Sequence, residues 1–181
     1  MSLSFLIGGA RSGKSTLAVQ LGEHHGGPVH FIATTEPFDD DLRDRVARHR
    51  AERPAAWSTA EVPVALAAAV AEAPAGTFVI IDCLTVWLAN LFAHGADHTG
   101  RNSAVESLVD ALRGRSIVGI APTVVVSNEV GMGVHPETAM GREYRDELGR
   151  LNQSVAAVAD RSLLLVAGRA LRLDNPWELL R

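Results

Sequence analysis

Residues 8–15 read Gly8-Gly9-Ala10-Arg11-Ser12-Gly13-Lys14-Ser15, a complete G-x-x-x-x-G-K-S loop. The loop lies between an apolar strand candidate (Leu3, Phe5, Leu6, Ile7) and a helical pattern opening at Gly13. That setting admits few folds. Glycines let backbone N–H groups curl around an anion, and the N-terminus of the following helix adds positive potential. In such a loop Lys14 reaches the β/γ-phosphates of a nucleotide, and the Ser15 hydroxyl suits Mg²⁺. With strand, loop and helix in this order, the chain is expected to bind a nucleoside triphosphate.

A length of 181 residues suits one α/β domain spanning 1–181, with enough chain to bury a sheet on both faces. A net charge of −4 gives no basic excess of the kind a nucleic-acid surface needs, so no nucleic-acid partner is expected. Positive charge is nevertheless concentrated: Arg43, Arg45, Arg48, Arg50 and Arg53 fall within eleven residues. The single cysteine, Cys83, excludes an internal disulfide and fits a reducing compartment. No apolar run reaches the length of a membrane span. Met1-Ser2-Leu3-Ser4 leads straight into the first strand, where cleavage would destroy the phosphate loop, so a cytoplasmic protein is expected.

Strand and helix signals alternate. Leu3–Ile7, Val29–Ala33, Phe78–Asp82, Thr123–Ser127 and Leu163–Ala167 are continuous apolar runs, the mark of parallel strands covered on both faces. Trp57–Val62 can add an edge strand. Helices are expected over Gly13–His25, Asp39–Glu52, Pro63–Glu72, Leu84–Ala93, Ser103–Arg113 and Ala139–Ala159, with His94–Gly100 as a flexible surface connection. The fold class is therefore α/β: a three-layer, doubly wound, mostly parallel sheet of the phosphate-loop, RecA-like kind. Ligands in such folds bind at the C-terminal ends of the strands. Gly8, Thr34, Asp82 and Asn128-Glu129 all stand there.

Several of these residues admit two readings. Asp82 suits the Mg²⁺ shell of phosphate-loop enzymes, and it also suits the N-cap of Leu84–Ala93. On the second helix Leu42, Val46, His49 and Arg53 share one face. Neighbouring arginines lower the pKa of His49 and favour the neutral imidazole, a nucleophile toward phosphorus. The competing reading is a structural histidine. Glu61 is either a hydrogen-bond acceptor for a guanine or ribose or a solvated carboxylate. Glu129 is either a general base or metal ligand, or a surface group in a turn whose glycines need φ > 0.

Nearly the whole chain resembles the bifunctional adenosylcobinamide kinase/adenosylcobinamide-phosphate guanylyltransferase family. Beyond the phosphate loop, the matching stretches are Ile32-Ala33-Thr34, Arg45-Val46-Ala47-Arg48-His49-Arg50-Ala51-Glu52-Arg53-Pro54, Trp57 with Thr59-Ala60-Glu61, and Ile81-Asp82-Cys83-Leu84-Thr85. They continue with Ser127-Asn128-Glu129-Val130-Gly131-Met132-Gly133 and Gly149-Arg150-Leu151-Asn152-Gln153. The loop alone is widespread, whereas His-x-x-x-Arg-Pro with Asn-Glu-Val-Gly-x-Gly is far more specific.

The resemblance implies two reactions. The hydroxyl of the aminopropanol arm of adenosylcobinamide takes the γ-phosphoryl group of ATP or GTP. A histidine, here His49, then attacks the α-phosphate of GTP, and the guanylyl group passes to adenosylcobinamide phosphate, giving adenosylcobinamide-GDP. The resemblance implies a GTP site built from the loop with Ala33, Thr34, Thr35, Arg50, Ala51, Glu52, Arg53, Glu61 and Asp82, with Ser15 and Asp82 holding Mg²⁺. Asn128 and Glu129 are candidates for the acceptor side. It also implies a homo-oligomer, specifically a trimer. Arg48 stands where several family members carry a second histidine, and His135 replaces a common valine. Two other functions fit the loop: a simple small-molecule kinase with a structural His49, and a RecA-like nucleotide-driven switch.

Overall fold

The computed structural model describes residues 3–36, 53–118 and 122–180. The expected helix Asp39–Glu52, with His49, Arg50, Ala51 and Glu52, lies outside the described residues. β1 (Leu3–Gly8), β2 (Val29–Ala33), β3 (Ser58–Glu61), β4 (Phe78–Asp82), β5 (Thr123–Asn128), β6 (Arg161–Val166) and β7 (Arg169–Leu173) form one seven-stranded sheet. Its order is β3-β2-β4-β5-β1-β6-β7, parallel throughout except for the antiparallel pair β6–β7. The described helices are α1 (Lys14–His25), α2 (Leu66–Glu72), α3 (Leu84–Ala93), α4 (His98–Val118), α5 (Ala139–Val158) and α6 (Pro176–Leu179).

Alternation along the strands divides the core into two layers. Phe5, Ile7, Ile32, Val79, Ile81 and Val125 face α2, α3, α4 and α5, while Leu6, Phe31, Ile80, Val124 and Val126 join Ala18 of α1 on the other side. Both faces are covered, which is why the central strands read as unbroken apolar runs. The three-layer, mostly parallel architecture agrees with the expectation. Helix α3 turns Trp87, Leu88 and Leu91 into the core, and the Trp87 indole N–H donates to the Val64 carbonyl at 2.8 Å. Among the described residues, no helix is long and apolar enough to cross a membrane.

Some boundaries differ from expectation for local reasons. The last parallel strand ends at Val166, because Ala167 (φ 50°) and Gly168 (φ 72°) form the turn into β7. The segment His94–Gly100, expected to be a surface connection, already contains the start of α4 at His98. There the Asp97 carboxylate accepts the Gly100 N–H at 2.8 Å and caps the helix. β7 and α6 were not expected.

Away from the strand ends, α4 and α5 are fastened by a buried ion pair. Arg101 donates from Nε to Glu147 Oε2 (2.7 Å) and from its terminal nitrogen to Glu147 Oε1 (2.8 Å), with a further bond to Glu143. His98 Nδ1 lies 2.9 Å from Glu147 Oε1, and the guanidinium carbon stacks 3.8 Å from the Phe92 ring centre. His98, Glu143 and Glu147 have a spacing a metal ion could use, but the Arg101 cation already supplies their positive charge. Hydrogen bonding from Arg101 holds the Glu147 carboxyl below its ordinary pKa. A depressed carboxylate pKa contributes stability that is fully present above the unfolded value and is lost as pH falls through the folded one. Glu147→Ala should therefore cost about 3 kcal/mol in denaturant unfolding at neutral pH, the low end for a broken buried pair because Glu143 remains. The gap between variant and wild type should close as the pH is lowered below the ordinary carboxylate range.

Candidate active site

The strand order brings the C-terminal ends of β2, β4, β5 and β1 side by side, and the phosphate loop rises from the last of these. Two glycines in the loop have structural necessity. A Cβ on Gly8 would stand 2.3 Å from the backbone oxygen of Leu165 on β6, and Gly13 holds φ 99° where the chain enters α1. The neighbouring hairpin braces the loop, with the Gly168 N–H donating to the Ser12 carbonyl at 3.0 Å. Gly9, Ala10 and Arg11 are exposed, and Ser15 is half-buried.

Lys14 is 6 % exposed and folds back over the loop. Its ammonium donates to the carbonyls of Gly8 (2.9 Å) and Gly9 (2.7 Å) and reaches Ser12 Oγ at 3.3 Å. Burial lowers its pKa, against the opposing attraction of Cys83 and Asp82. Asp82 ends β4, and the N-cap of α3 is Cys83, so the capping reading of Asp82 does not hold. Burial and the adjacent Asp82 charge push the Cys83 thiol up to about 11.

The other expected residues divide into distinct roles. Thr34 is fully buried: its hydroxyl donates to the Cys83 carbonyl (2.7 Å) and accepts the Cys83 N–H (2.9 Å), tying the end of β2 to that of β4. Asn90 of α3 donates to the Thr34 carbonyl at 2.7 Å. Ala33 is buried, Thr35 half-buried, and Glu61 exposed at the end of β3 opposite Ala33. Arg53 lies with its guanidinium carbon 3.6 Å from the ring centre of Phe31 on β2, a cation–π contact.

Asn128 ends β5 directly beside Gly8, and the Glu129 N–H donates to the Gly8 carbonyl at 3.1 Å. Glu129 is half-buried, and its carboxylate accepts the Gly131 N–H. Gly131 and Gly133 are not in the left-handed region, so of the two readings of this segment the one that has its glycines at φ > 0 does not hold. Gly131 is needed for space instead, since a Cβ there would stand 2.8 Å from Glu129 Oε1. Thr85, Tyr144, Ser127 and Asn152 also join this end of the sheet. Tyr144 donates to the Thr85 carbonyl at 2.8 Å, and burial pushes its phenol pKa well up. Asn152 lies in one of the stretches that carry the family resemblance, but nothing in the sequence says which strand an amide on a helix will meet.

Residues 4–173 match the family model described as cobinamide kinase / cobinamide phosphate guanyltransferase. Similar proteins include the bifunctional adenosylcobalamin biosynthesis protein CobP of Pseudomonas aeruginosa, 42% identical over 94% of this chain and 96% of that protein. The corresponding protein CobU of Salmonella typhimurium is 36% identical, over 93% of this chain and 97% of its own length. Among solved structures, the flagellar accessory protein FlaH of Methanocaldococcus jannaschii aligns with a TM-score of 0.56 at 14% identity, covering 96% of this chain and 78% of its own. The RadB recombinase gives a TM-score of 0.56 at 16% identity, over 90% and 73%. These two similarities establish the phosphate-loop, RecA-like fold.

The loop geometry yields a direct test. Gly8→Ala drives a methyl group into a backbone oxygen that the β1–β6 pairing holds in place. The variant should lose about 2–3 kcal/mol in denaturant unfolding, at the upper end for an overpacked site, and should fail to retain a fluorescent nucleotide. Wild-type stability with wild-type nucleotide affinity would refute the close-approach account.

Proposed function

The chain belongs to the cobinamide kinase / cobinamide phosphate guanyltransferase family, and from that premise we propose that its one phosphate loop serves both reactions. The single observation carrying this reading is the loop itself, with a buried Lys14 ammonium held on the Gly8 and Gly9 carbonyls and within the electrostatic reach of Asp82. Phosphate oxygens are stronger acceptors than peptide carbonyls, so an arriving triphosphate draws Lys14 away from them. Ser15 and Asp82 offer a hydroxyl and a carboxylate, hard oxygen donors that fit Mg²⁺. That ion, when bound, neutralises charge on the phosphates.

In the first reaction the primary hydroxyl of adenosylcobinamide attacks the γ-phosphorus of ATP or GTP. The bond to the β-phosphate oxygen breaks, the nucleoside diphosphate leaves, and Glu129 takes the hydroxyl proton. In the second, the His49 imidazole attacks the α-phosphorus of GTP and pyrophosphate departs, leaving guanylyl-His49. A phosphate oxygen of adenosylcobinamide phosphate then attacks that phosphorus, the imidazole leaves, and adenosylcobinamide-GDP forms. Arg50 and Arg53 stabilise charge on the transferring group, while Ala33, Thr34, Thr35, Ala51, Glu52 and Glu61 form the rest of the GTP site.

A homo-oligomer, in the specific form of a trimer, and a cytoplasmic location complete the reading. Exposed Leu171 and Leu173 on β7, together with Trp177, Leu179 and Leu180 at the C-terminal end, support self-association.

Labelling separates this mechanism from a simple kinase. Wild-type protein incubated with Mg²⁺ and α-labelled GTP, then denatured, should hold acid-labile label that His49→Ala lacks. His49→Ala should still phosphorylate adenosylcobinamide. Label kept by His49→Ala would move the nucleophile elsewhere, and no label in wild type would favour the simple kinase. Lys14→Ala should lower both activities by roughly 100-fold or more in steady-state assays, since it removes a charged donor to the phosphates.

A further inference from the structure

The end of β5 is fastened on three sides. The Asn128 N–H donates to Thr85 Oγ1 on α3 at 2.8 Å, and the Asn128 carbonyl accepts from Asn152 Nδ2 on α5 at 3.1 Å. The next N–H, that of Glu129, donates to the Gly8 carbonyl, which also accepts from Lys14 Nζ. A continuous set of bonds therefore runs from α5 through the Asn128–Glu129 peptide to the phosphate-loop lysine.

Asn152 is the buried anchor of this set. It is 6 % exposed, and its Oδ1 accepts from the fully buried Ser127 hydroxyl at 2.6 Å. A carbonyl oxygen can only accept, so the amide nitrogen must face Asn128 and its oxygen must face the serine. The orientation of the amide is thus set by chemistry. A primary amide buried at a helix–sheet contact costs free energy unless both its ends are bonded, and an aliphatic side chain would fill the same space without that requirement. What the amide does and an aliphatic cannot do is bond both the Ser127 hydroxyl and the Asn128 carbonyl, and the second of these bonds fixes where that carbonyl points.

We propose that Asn152 is a positioning residue for phosphoryl transfer: from α5 it sets the Asn128–Glu129 segment against the phosphate loop, so that acceptor hydroxyl and Lys14 address the same phosphoryl group. The proposal rests on the reading of Asn128–Glu129 as the acceptor side. It asks nothing of the nucleotide-binding contacts themselves, which gives it a distinctive kinetic signature.

The test uses the full chain with ATP and adenosylcobinamide. Asn152→Asp keeps the shape and the acceptor for Ser127 but turns an oxygen toward the Asn128 carbonyl. Its kcat for phosphorylation should fall about tenfold or more while the Kd for a fluorescent ATP analogue stays within about twofold of wild type. Thr85→Ala, which removes the opposite fastening, should lower kcat in the same way, and Thr85→Ser should restore most of it. A folded Asn152→Asp protein with wild-type kcat overturns the proposal. So does an equal loss of nucleotide affinity and turnover, which would mark a general loosening of the loop. If Asn152→Asp does not fold, the Thr85 pair decides: a kcat loss in Thr85→Ala that serine rescues supports the proposal, and any other pattern overturns it. Glu129→Gln examines the premise separately, because unchanged kcat and unchanged KM for adenosylcobinamide in that variant remove the acceptor-side reading whatever Asn152 does.

Discussion

One carbonyl oxygen, that of Gly8, accepts from the Lys14 ammonium at 2.9 Å and from the Glu129 N–H at 3.1 Å. It joins the cation of the phosphate loop to the segment leaving β5, and it exists in this position only because Gly8 has no side chain. A methyl group there would collide with Leu165 on β6, so the parallel pairing of β1 with β6 and the curvature of the loop depend on the same missing atom. The hairpin beyond β6 adds a second constraint through Gly168, whose N–H holds the Ser12 carbonyl. The loop is thereby clamped between two neighbouring strands before any ligand arrives, and little ordering is left for binding to impose.

One group of buried polar side chains follows from this arrangement, apart from the Arg101–Glu147 pair and the polar residues Thr77, Thr123 and Ser162. Ser12, Lys14, Thr34, Ser127 and Asn152 are buried, and all gather at the C-terminal ends of the strands. Each has a partner: Lys14 bonds the loop carbonyls and Ser12 Oγ, Thr34 bonds Cys83, Ser127 donates to Asn152, and Asn152 donates to the Asn128 carbonyl. Inside the central strands most buried positions are leucine, valine, isoleucine and phenylalanine, which satisfy the backbone ladder and ask for nothing more. Polar side chains become necessary where the ladder stops and strand-end carbonyls and N–H groups would otherwise be buried without partners. The bonds that satisfy these groups also fix the shape of the crevice. Stability and site geometry are supplied here by the same interactions.

Much of this could be read from residues alone, for reasons that differ between elements. Val29–Ala33, Phe78–Asp82 and Leu84–Ala93 have their expected bounds because central strands and a buried helix carry dense apolar signals. β7 escaped because Arg169-Ala170-Leu171-Arg172-Leu173 is exposed along its length and pairs on one side only. The start of α4 was legible in principle: Asp97 caps it, but His-Thr-Gly obscures the helical pattern behind that cap. The glycine motif identified the loop and its lysine, whereas the sequence around Thr34 does not show that its hydroxyl is committed to Cys83. Asn152 and Thr85 lie in stretches that carry the family resemblance, but nothing in the sequence gives either a role. A polar residue on a helix announces no partner until the helix has docked, and these two acquire theirs only from the tertiary arrangement.

Strand order also bears on how one loop could serve two phosphorus centres. Asn128 and Glu129 stand next to the loop, because β5 is the immediate neighbour of β1. Thr34, Arg53 and Glu61 lie on or beside β2 and β3, beyond β4. With neighbouring strands about 4.8 Å apart, the β2 end is roughly 14 Å from the β1 end, three strand spacings along the crevice. A hydroxyl aimed at a γ-phosphate and an imidazole aimed at an α-phosphate approach opposite ends of the triphosphate chain. On the proposed mechanism the crevice gives them separate sides: the acceptor would enter over β5, close to the Lys14 end, and the guanylyl group would be handled toward β2. Asp82 on β4 falls between the two, where one carboxylate can serve a nucleotide engaged from either direction.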